Sequence, residues 1–291
     1  FEVAYHGLGY GALNTTWRDD FRSPFRRQLG AFARFVPFPR ARADLARLET
    51  QLHSEFRKQK VGAILVEPIQ GRGGTIIPPA GFLKLLRKLC HQNGALLICD
   101  EVYTGLGRTG RWFASEHFGV TPDILCLGKA LTGGFPLSAC VGRADVMDRA
   151  WPQSTGEAIH TSTFLGHPVG CAMAMASLRE LESKKLVSRS AEMGELFLAE
   201  LCRLAKPLGQ ARCRPRGLGL MLGLELRHDD GSPATDIAAN VVKRMLRDGF
   251  ILLPSGDPPN IVAFTPPLTV AKLHITKLIR ALGQALEEAY K

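Results

Sequence analysis

Two residues could join amine chemistry to acid chemistry. Lys129 follows the apolar run Ile124-Leu125-Cys126-Leu127-Gly128, and Asp100 closes Leu96-Leu97-Ile98-Cys99. Burial favours the neutral form of a lysine, and a neutral amine is the nucleophile that condenses with a carbonyl carbon. On position alone, Lys129 reads first as a surface lysine in a loop, and Asp100 as a turn or capping residue. Short apolar runs bounded by polar residues and glycines read as buried strands of a parallel sheet. In open α/β sheets, ligands sit beyond the carboxyl ends of the strands. An acid and a lysine delivered from two such ends therefore face one crevice. The 28 residues between them accommodate one loop, one helix and one strand.

A carboxylate beside a pyridine nitrogen keeps that nitrogen protonated, so the ring can accept electrons. With a Schiff-base lysine nearby, this is the pair that a pyridoxal phosphate enzyme needs. Competing motifs fit less well. Gly105-Leu-Gly107-Arg-Thr-Gly110 matches GxGxxG, but dinucleotide-binding glycines begin almost at the strand end and open a small-residue helix. Here Asp100 to Thr104 intervene and Arg111-Trp112-Phe113 follow. The Gly128-Lys129-Ala130-Leu131 stretch lacks the hydroxyl residue and upstream glycine of a phosphate-binding P-loop. There is no GxSxG nucleophile elbow.

The chain has 291 residues, 45% hydrophobic and 22% charged, which predicts a sizeable core and about two domains. No apolar run approaches the ~20 residues of a membrane span, and no secretory leader is visible. The seven cysteines are scattered, several in apolar runs, which suits reduced thiols in a cytoplasmic protein. Neither CxxC nor HxxxH occurs, so no metal is expected. The formal charge of +10 is spread along the chain without a nucleic-acid motif, and suits attraction for anionic ligands.

Strands are expected at Val61 to Val66, Leu96 to Asp100, Ile124 to Gly128 and Ala139 to Gly142, with helices at Ala41 to Lys58 and Pro79 to Asn93. Their alternation predicts a parallel α/β domain. Pro168 to Leu204 reads as long helical structure. Beyond it, Arg212 to Leu226 is strand-like and glycine-rich, Asp236 to Arg247 helical, Ile251 to Leu253 and Ile261 to Phe264 short strands, and Val270 to Tyr290 a final helix. The expected division is a large domain over 1–178, a connecting helix over 179–204 and a small domain over 205–291. Phe1-Glu2-Val3-Ala4-Tyr5 already looks like the middle of a domain, so an N-terminal portion is expected to be missing.

LICDEVYTGLGRTG followed by PDILCLGKALTGGFPLSA resembles the signature of class III pyridoxal phosphate aminotransferases. FEVAYHG, VEPIQGRGG, HTSTFLGHP, RGLGLMLGLEL and FTPPLT extend the likeness over the whole chain in the family's order. The resemblance implies an α/β, fold type I transferase: a mainly parallel central sheet flanked by helices, with a smaller α+β C-terminal domain. It implies a transaminase that moves an amino group from an amine or amino-acid donor to a keto acid by a ping-pong Schiff-base route. An aminomutase or racemase of the same family, or a truncated non-catalytic relative, are the alternatives.

The resemblance also implies roles. Lys129 matches the Schiff-base lysine, Asp100 the pyridinium partner, Tyr5 and Val102 the residues against the two ring faces. His6 belongs to the same YHG segment, Glu67 matches an acid near the site, and Thr163 matches the threonine that reaches the cofactor phosphate of a neighbouring subunit, so a homodimer is implied. Tyr103 stands where many members carry a glutamine that reaches the ring hydroxyl. Leu165 and His167 replace the usual glycine and asparagine. The arginine that ω-aminotransferases place three residues before the PP pair is Ala263 here, which weighs against ornithine and 4-aminobutyrate as donors. The acid that pairs with that arginine is Arg72, which is expected to bind a substrate carboxylate. The family's Ser/Gly-rich phosphate-binding turn lies upstream of the YHG segment, so this chain alone is expected to hold cofactor weakly or not at all.

Overall fold

A computed structural model describes residues 1–157 and 161–290. His160, which opens the HTSTF segment, lies outside them. The chain begins with two single-turn helices, α1 (Tyr10–Leu13) and α2 (Asp19–Arg22), set among loops. Next come α3 (Asp44–Lys58), β1 (Ala63–Val66), α4 (Phe82–Asn93), β2 (Leu96–Asp100), β3 (Ile124–Leu127) and β4 (Ala139–Gly142).

β1, β2 and β3 are parallel neighbours, and β4 closes that sheet antiparallel to β3. α4 shows why the alternation folds. Its buried residues Phe82, Leu83, Leu86, Leu89 and Cys90 recur at helical spacing, and they meet Val66, Leu97 and Cys99 from the sheet. Left-handed Gly94 stops the helix, its N–H capping the Cys90 carbonyl. α4 begins at Phe82, later than the sequence predicts, because Gly81 is left-handed with φ 95°.

Between Asp100 and Lys129 the expected helix is a five-residue 3-10 segment, Ala114–Phe118. The reason is local. The buried Glu101 carboxylate accepts the N–H groups of Ala114 and Ser115, both at 2.8 Å, and fixes the start of the turn. Gly119, at φ 62°, ends it.

The chain continues through α5 (Ala144–Ala150), α6 (Pro168–Ser183) and α7 (Leu186–Leu208). The long helical stretch is thus two helices, broken where Lys185 takes φ 51°. A second, antiparallel sheet follows, ordered β5-β6-β8-β7, from β5 (Cys213–Leu218), β6 (Met221–Leu226), β7 (Leu253–Ser255) and β8 (Ile261–Phe264). α8 (Thr235–Arg247) and α9 (Lys272–Ala289) cover it. Phe197, Leu201 and Ala205 of α7 pack into this second core with Leu224, Val262 and Phe264.

The two sheets meet over the 105–110 loop. Leu220 donates its N–H to the Arg108 carbonyl at 3.0 Å, and Arg108 Nη1 reaches the carbonyls of Leu220 and Pro266. At two glycines no side chain fits between the backbones. A Cβ at Gly194 would stand 2.1 Å from the Gly219 carbonyl oxygen, and one at Gly219 would stand 2.3 Å from the Thr109 carbonyl carbon. Among the described residues, no helix is long and apolar enough to cross a membrane.

Candidate active site

β2 and β3 deliver Asp100 and Lys129 to the same end of the sheet. Asp100 closes β2, paired in register with Cys126, and Lys129 lies two residues past the end of β3. Asp100 is 9% exposed. Its Oδ1 accepts the Val102 N–H at 3.0 Å, which turns the carboxylate back over the strand end, and its Oδ2 lies 2.7 Å from His6 Nδ1. His6 is fixed in turn by its own N–H, donated to Thr16 Oγ1 at 3.0 Å.

Lys129 takes φ 41°, a left-handed conformation that strains a side-chain-bearing residue by about 1–2 kcal/mol. Its ammonium lies 4.8 Å from the centre of the Tyr103 ring. Although the residue opens to solvent, the loss of water around the ammonium lowers its pKa. Asp100 and Glu67 act in the opposite sense, and Arg72 adds to the lowering. Those four groups therefore share one electrostatic neighbourhood. Tyr103 is held by packing against Ile69, Ala114 and Met221, and by Gly71, where a Cβ would come within 2.3 Å of its ring. Only glycine admits so close an approach.

Glu67 is buried and ties two segments together. It accepts the N–H of Tyr5 at 3.0 Å and of Gly71 at 2.9 Å, and burial raises its pKa above the usual carboxylate range. Tyr5 and Arg72 consequently meet, with the guanidinium 4.7 Å above the Tyr5 ring centre and 5.7 Å from that of Phe21. Arg72's backbone is anchored to the second sheet, since its carbonyl accepts Gly256 N–H at 3.0 Å and Ser255 Oγ at 3.2 Å. Its guanidinium has aromatic neighbours and, among the described residues, no carboxylate partner.

A cavity of about 560 Å³ opens beside Lys129, walled by Val102, Tyr103, Arg108, Leu268 and Thr269 among others. The structure thus brings Lys129, Asp100, His6, Glu67, Tyr5, Val102, Tyr103 and Arg72 together. Thr163 stands apart, exposed in the loop before α6. Sequence reasoning missed Phe21, which shares the Arg72 stack, and Arg108, which walls the cavity. The GxGxxG stretch carrying Arg108 joins the two sheets.

These residues fit pyridoxal phosphate. A strained lysine with a lowered pKa shares an electrostatic neighbourhood with a carboxylate that is buried and oriented by a backbone N–H and a histidine, and a cavity opens beside the lysine. The arrangement suits imine chemistry at Lys129 and protonation of a heteroaromatic nitrogen at Asp100.

Comparisons with known proteins agree. The chain is 36% identical to an acetylornithine aminotransferase of Methanosarcina mazei over 284 residues, covering 98% of this chain and 65% of that protein. It is 37% identical to a putrescine aminotransferase of Pectobacterium atrosepticum over 287 residues, covering 98% and 58%. The chain therefore spans less than two thirds of these relatives' lengths. An (S)-enantioselective ω-transaminase from Thermomicrobium roseum superposes with a TM-score of 0.89 at 29% identity, covering all of this chain and 67% of that one. An ornithine aminotransferase from Toxoplasma gondii, described with partial occupancy of PLP at its active site, superposes with a TM-score of 0.81 at 31% identity, covering 100% and 64%. The fold is that of the fold type I transaminases, α/β with a mixed first sheet. With the family model for Aminotransferase class-III matching residues 1–286, at a site whose lysine and carboxylate the fold itself assembles, the chain belongs to the class III aminotransferases.

Proposed function

We propose that the protein is a pyridoxal-phosphate-dependent aminotransferase, moving an amino group from an amine or amino-acid donor to a keto acid. The observation that carries this reading is the placement of Lys129 and Asp100 at adjacent strand ends, within electrostatic reach of each other, with a cavity open beside the lysine. When bound, pyridoxal phosphate supplies an aldehyde for imine formation and an electron-accepting ring. Lys129 would hold the cofactor through its amine and, when free, would take a proton from the substrate α-carbon and return one. The lowered Lys129 pKa keeps a basic amine available for this. Asp100 would keep the ring nitrogen protonated, with His6 fixing its Oδ2 and Val102 N–H its Oδ1. Tyr5 and Val102 would hold the ring from its two faces, and Tyr103 lies beside the lysine. Glu67 acts through position, by holding Tyr5 and Gly71.

Arg72 receives a substrate carboxylate. Its guanidinium rests on Tyr5 and Phe21 with no acid to displace, while its backbone is pinned. Thr163 serves the phosphate of a neighbouring subunit in a homodimer. Exposed apolar Phe164 (74%), Leu165 (61%) and Val169 (52%) around it suit burial against a partner. The large domain ends near residue 178 and the small one begins near 205. All seven cysteines are free, which suits a cytoplasmic setting.

The test is direct. On adding pyridoxal phosphate, a visible absorption band should appear and borohydride should bleach it, leaving a label that peptide mapping finds on Lys129. A label on another lysine would refute the assignment. With one chiral amine donor and a keto acid, a new amino acid should accumulate. Scrambling of the donor's configuration without that product would mark a racemase instead.

A further inference from the structure

β3 and β4 set two cysteines directly opposite each other, Cys126 and Cys140. Opposed residues of an antiparallel pair alternate between hydrogen-bonded and non-hydrogen-bonded sites. The Arg143 N–H donates to the Asp123 carbonyl at 3.0 Å, which makes that flanking pair a hydrogen-bonded one. Counting along the ladder, Ile124·Gly142 is non-bonded, Leu125·Val141 bonded and Cys126·Cys140 non-bonded. An independent bond agrees, because the Cys126 carbonyl accepts the Glu101 N–H on the β2 side, away from β4. At a non-bonded pair the Cα atoms lie about 4.5 Å apart with the side chains on one face. That spacing falls within the roughly 4.4–6.8 Å that a disulfide spans.

We propose that Cys126 and Cys140 form a reversible cross-strand disulfide, an oxidative modification site that closes a loop around Lys129. The 13 residues between them include Lys129 and Gly133-Gly134. Both thiols are free in the structure, Cys140 exposed and Cys126 half-buried. The oxidant is a diffusible disulfide. The Cys140 thiolate attacks one of its sulfurs, forming a mixed disulfide and releasing one small thiolate. The Cys126 thiolate then attacks the Cys140 sulfur and releases the second, so two protein thiols are oxidised as one small disulfide is reduced to two thiols. Burial, with Asp100 and Cys140 nearby, pushes the Cys126 thiol up to about 12, so the second attack is the slower step. The inference rests on strand register and is independent of the proposed reaction.

Trypsin tests it cleanly, because cleavage after Arg111, Lys129 and Arg143 puts Cys126 and Cys140 on separate peptides, each with one cysteine. The full chain is incubated with oxidised glutathione, its remaining thiols are blocked with N-ethylmaleimide, and it is digested without reductant. The expected product is the 112–129 peptide joined to the 130–143 peptide, lighter by two hydrogens than their sum. Dithiothreitol should remove it and Cys140→Ser should prevent it. Cys126→Ala should stop the reaction at the glutathione adduct on Cys140. The linked form should also unfold at a higher temperature than the reduced form, a difference absent in Cys140→Ser. Recovery of both peptides alkylated, of Cys140 carrying glutathione alone in the wild-type chain, or of Cys140 joined to a second molecule would overturn the proposal.

Discussion

Asp100 Oδ2 and His6 Nδ1 lie 2.7 Å apart, linking the end of β2 to a loop 94 positions earlier. The contact leaves the carboxylate with little freedom, since its other oxygen already accepts the Val102 N–H. Asp100→Asn should keep that N–H bond and the fold, yet lose the charge proposed to hold a ring proton. Turnover should fall by about 10²–10³-fold at saturating cofactor while the circular dichroism spectrum stays unchanged. Steady-state kinetics on the folded variant would check it.

The strain at Lys129 separates backbone from side-chain effects. Lys129→Ala and Lys129→Gly both abolish the borohydride label, but only glycine relieves the left-handed conformation. In urea titrations the glycine variant should be more stable than the alanine variant by about 1 kcal/mol.

Arg72→Ala should raise KM for the keto-acid acceptor by roughly 10–100-fold, the value of a charge-assisted pair, with a smaller change in kcat. Arg72→Lys should recover only part of it, because an ammonium lacks the planar fork. An unchanged KM in Arg72→Ala would remove the carboxylate role.

Asp123 predicts an acid limit to stability. Its buried carboxylate accepts Leu97 N–H at 2.8 Å, Arg87 Nη1 at 2.6 Å and Arg143 Nη1 at 2.9 Å. Burial alone would raise its pKa, but those donors win and lower it below 3.8. A carboxylate depressed in the folded state contributes stability that is present above its unfolded pKa and lost as pH falls through the folded value. Unfolding free energy should therefore decline as pH drops below about 3.8. Asp123→Asn should cost roughly 2–3 kcal/mol at neutral pH and flatten that decline, as read from urea titrations across pH.

The strand ends carrying Asp100 and Lys129 were legible because short apolar runs closed by polar residues have one economical reading in an α/β chain. Boundaries slipped where glycine conformation decides them, as at Gly81, which delays α4. The helix expected before β3 became a 3-10 turn because Glu101 captures the N–H groups at its start, a tertiary event that periodicity does not register. Arg108 was illegible for a related reason. Its guanidinium reaches carbonyls 112 and 158 positions away, so a local motif search found only a misleading glycine pattern. Arg72 stood out as a departure from a family pattern, but its stacking on Tyr5 and Phe21 needed the folded chain.

The bare junction of Gly194, Gly219 and the Thr109–Gly110 backbone has a consequence for how distant changes reach the lysine. With glycine at both contact points, displacement of α7 is transmitted to the 105–110 loop as a lever moves its load, and that loop walls the cavity. Gly194→Ala, far from any reacting atom, should cost about 3 kcal/mol and alter the kinetics as well. A change on α7 therefore reaches the cavity wall while leaving every residue at the lysine untouched.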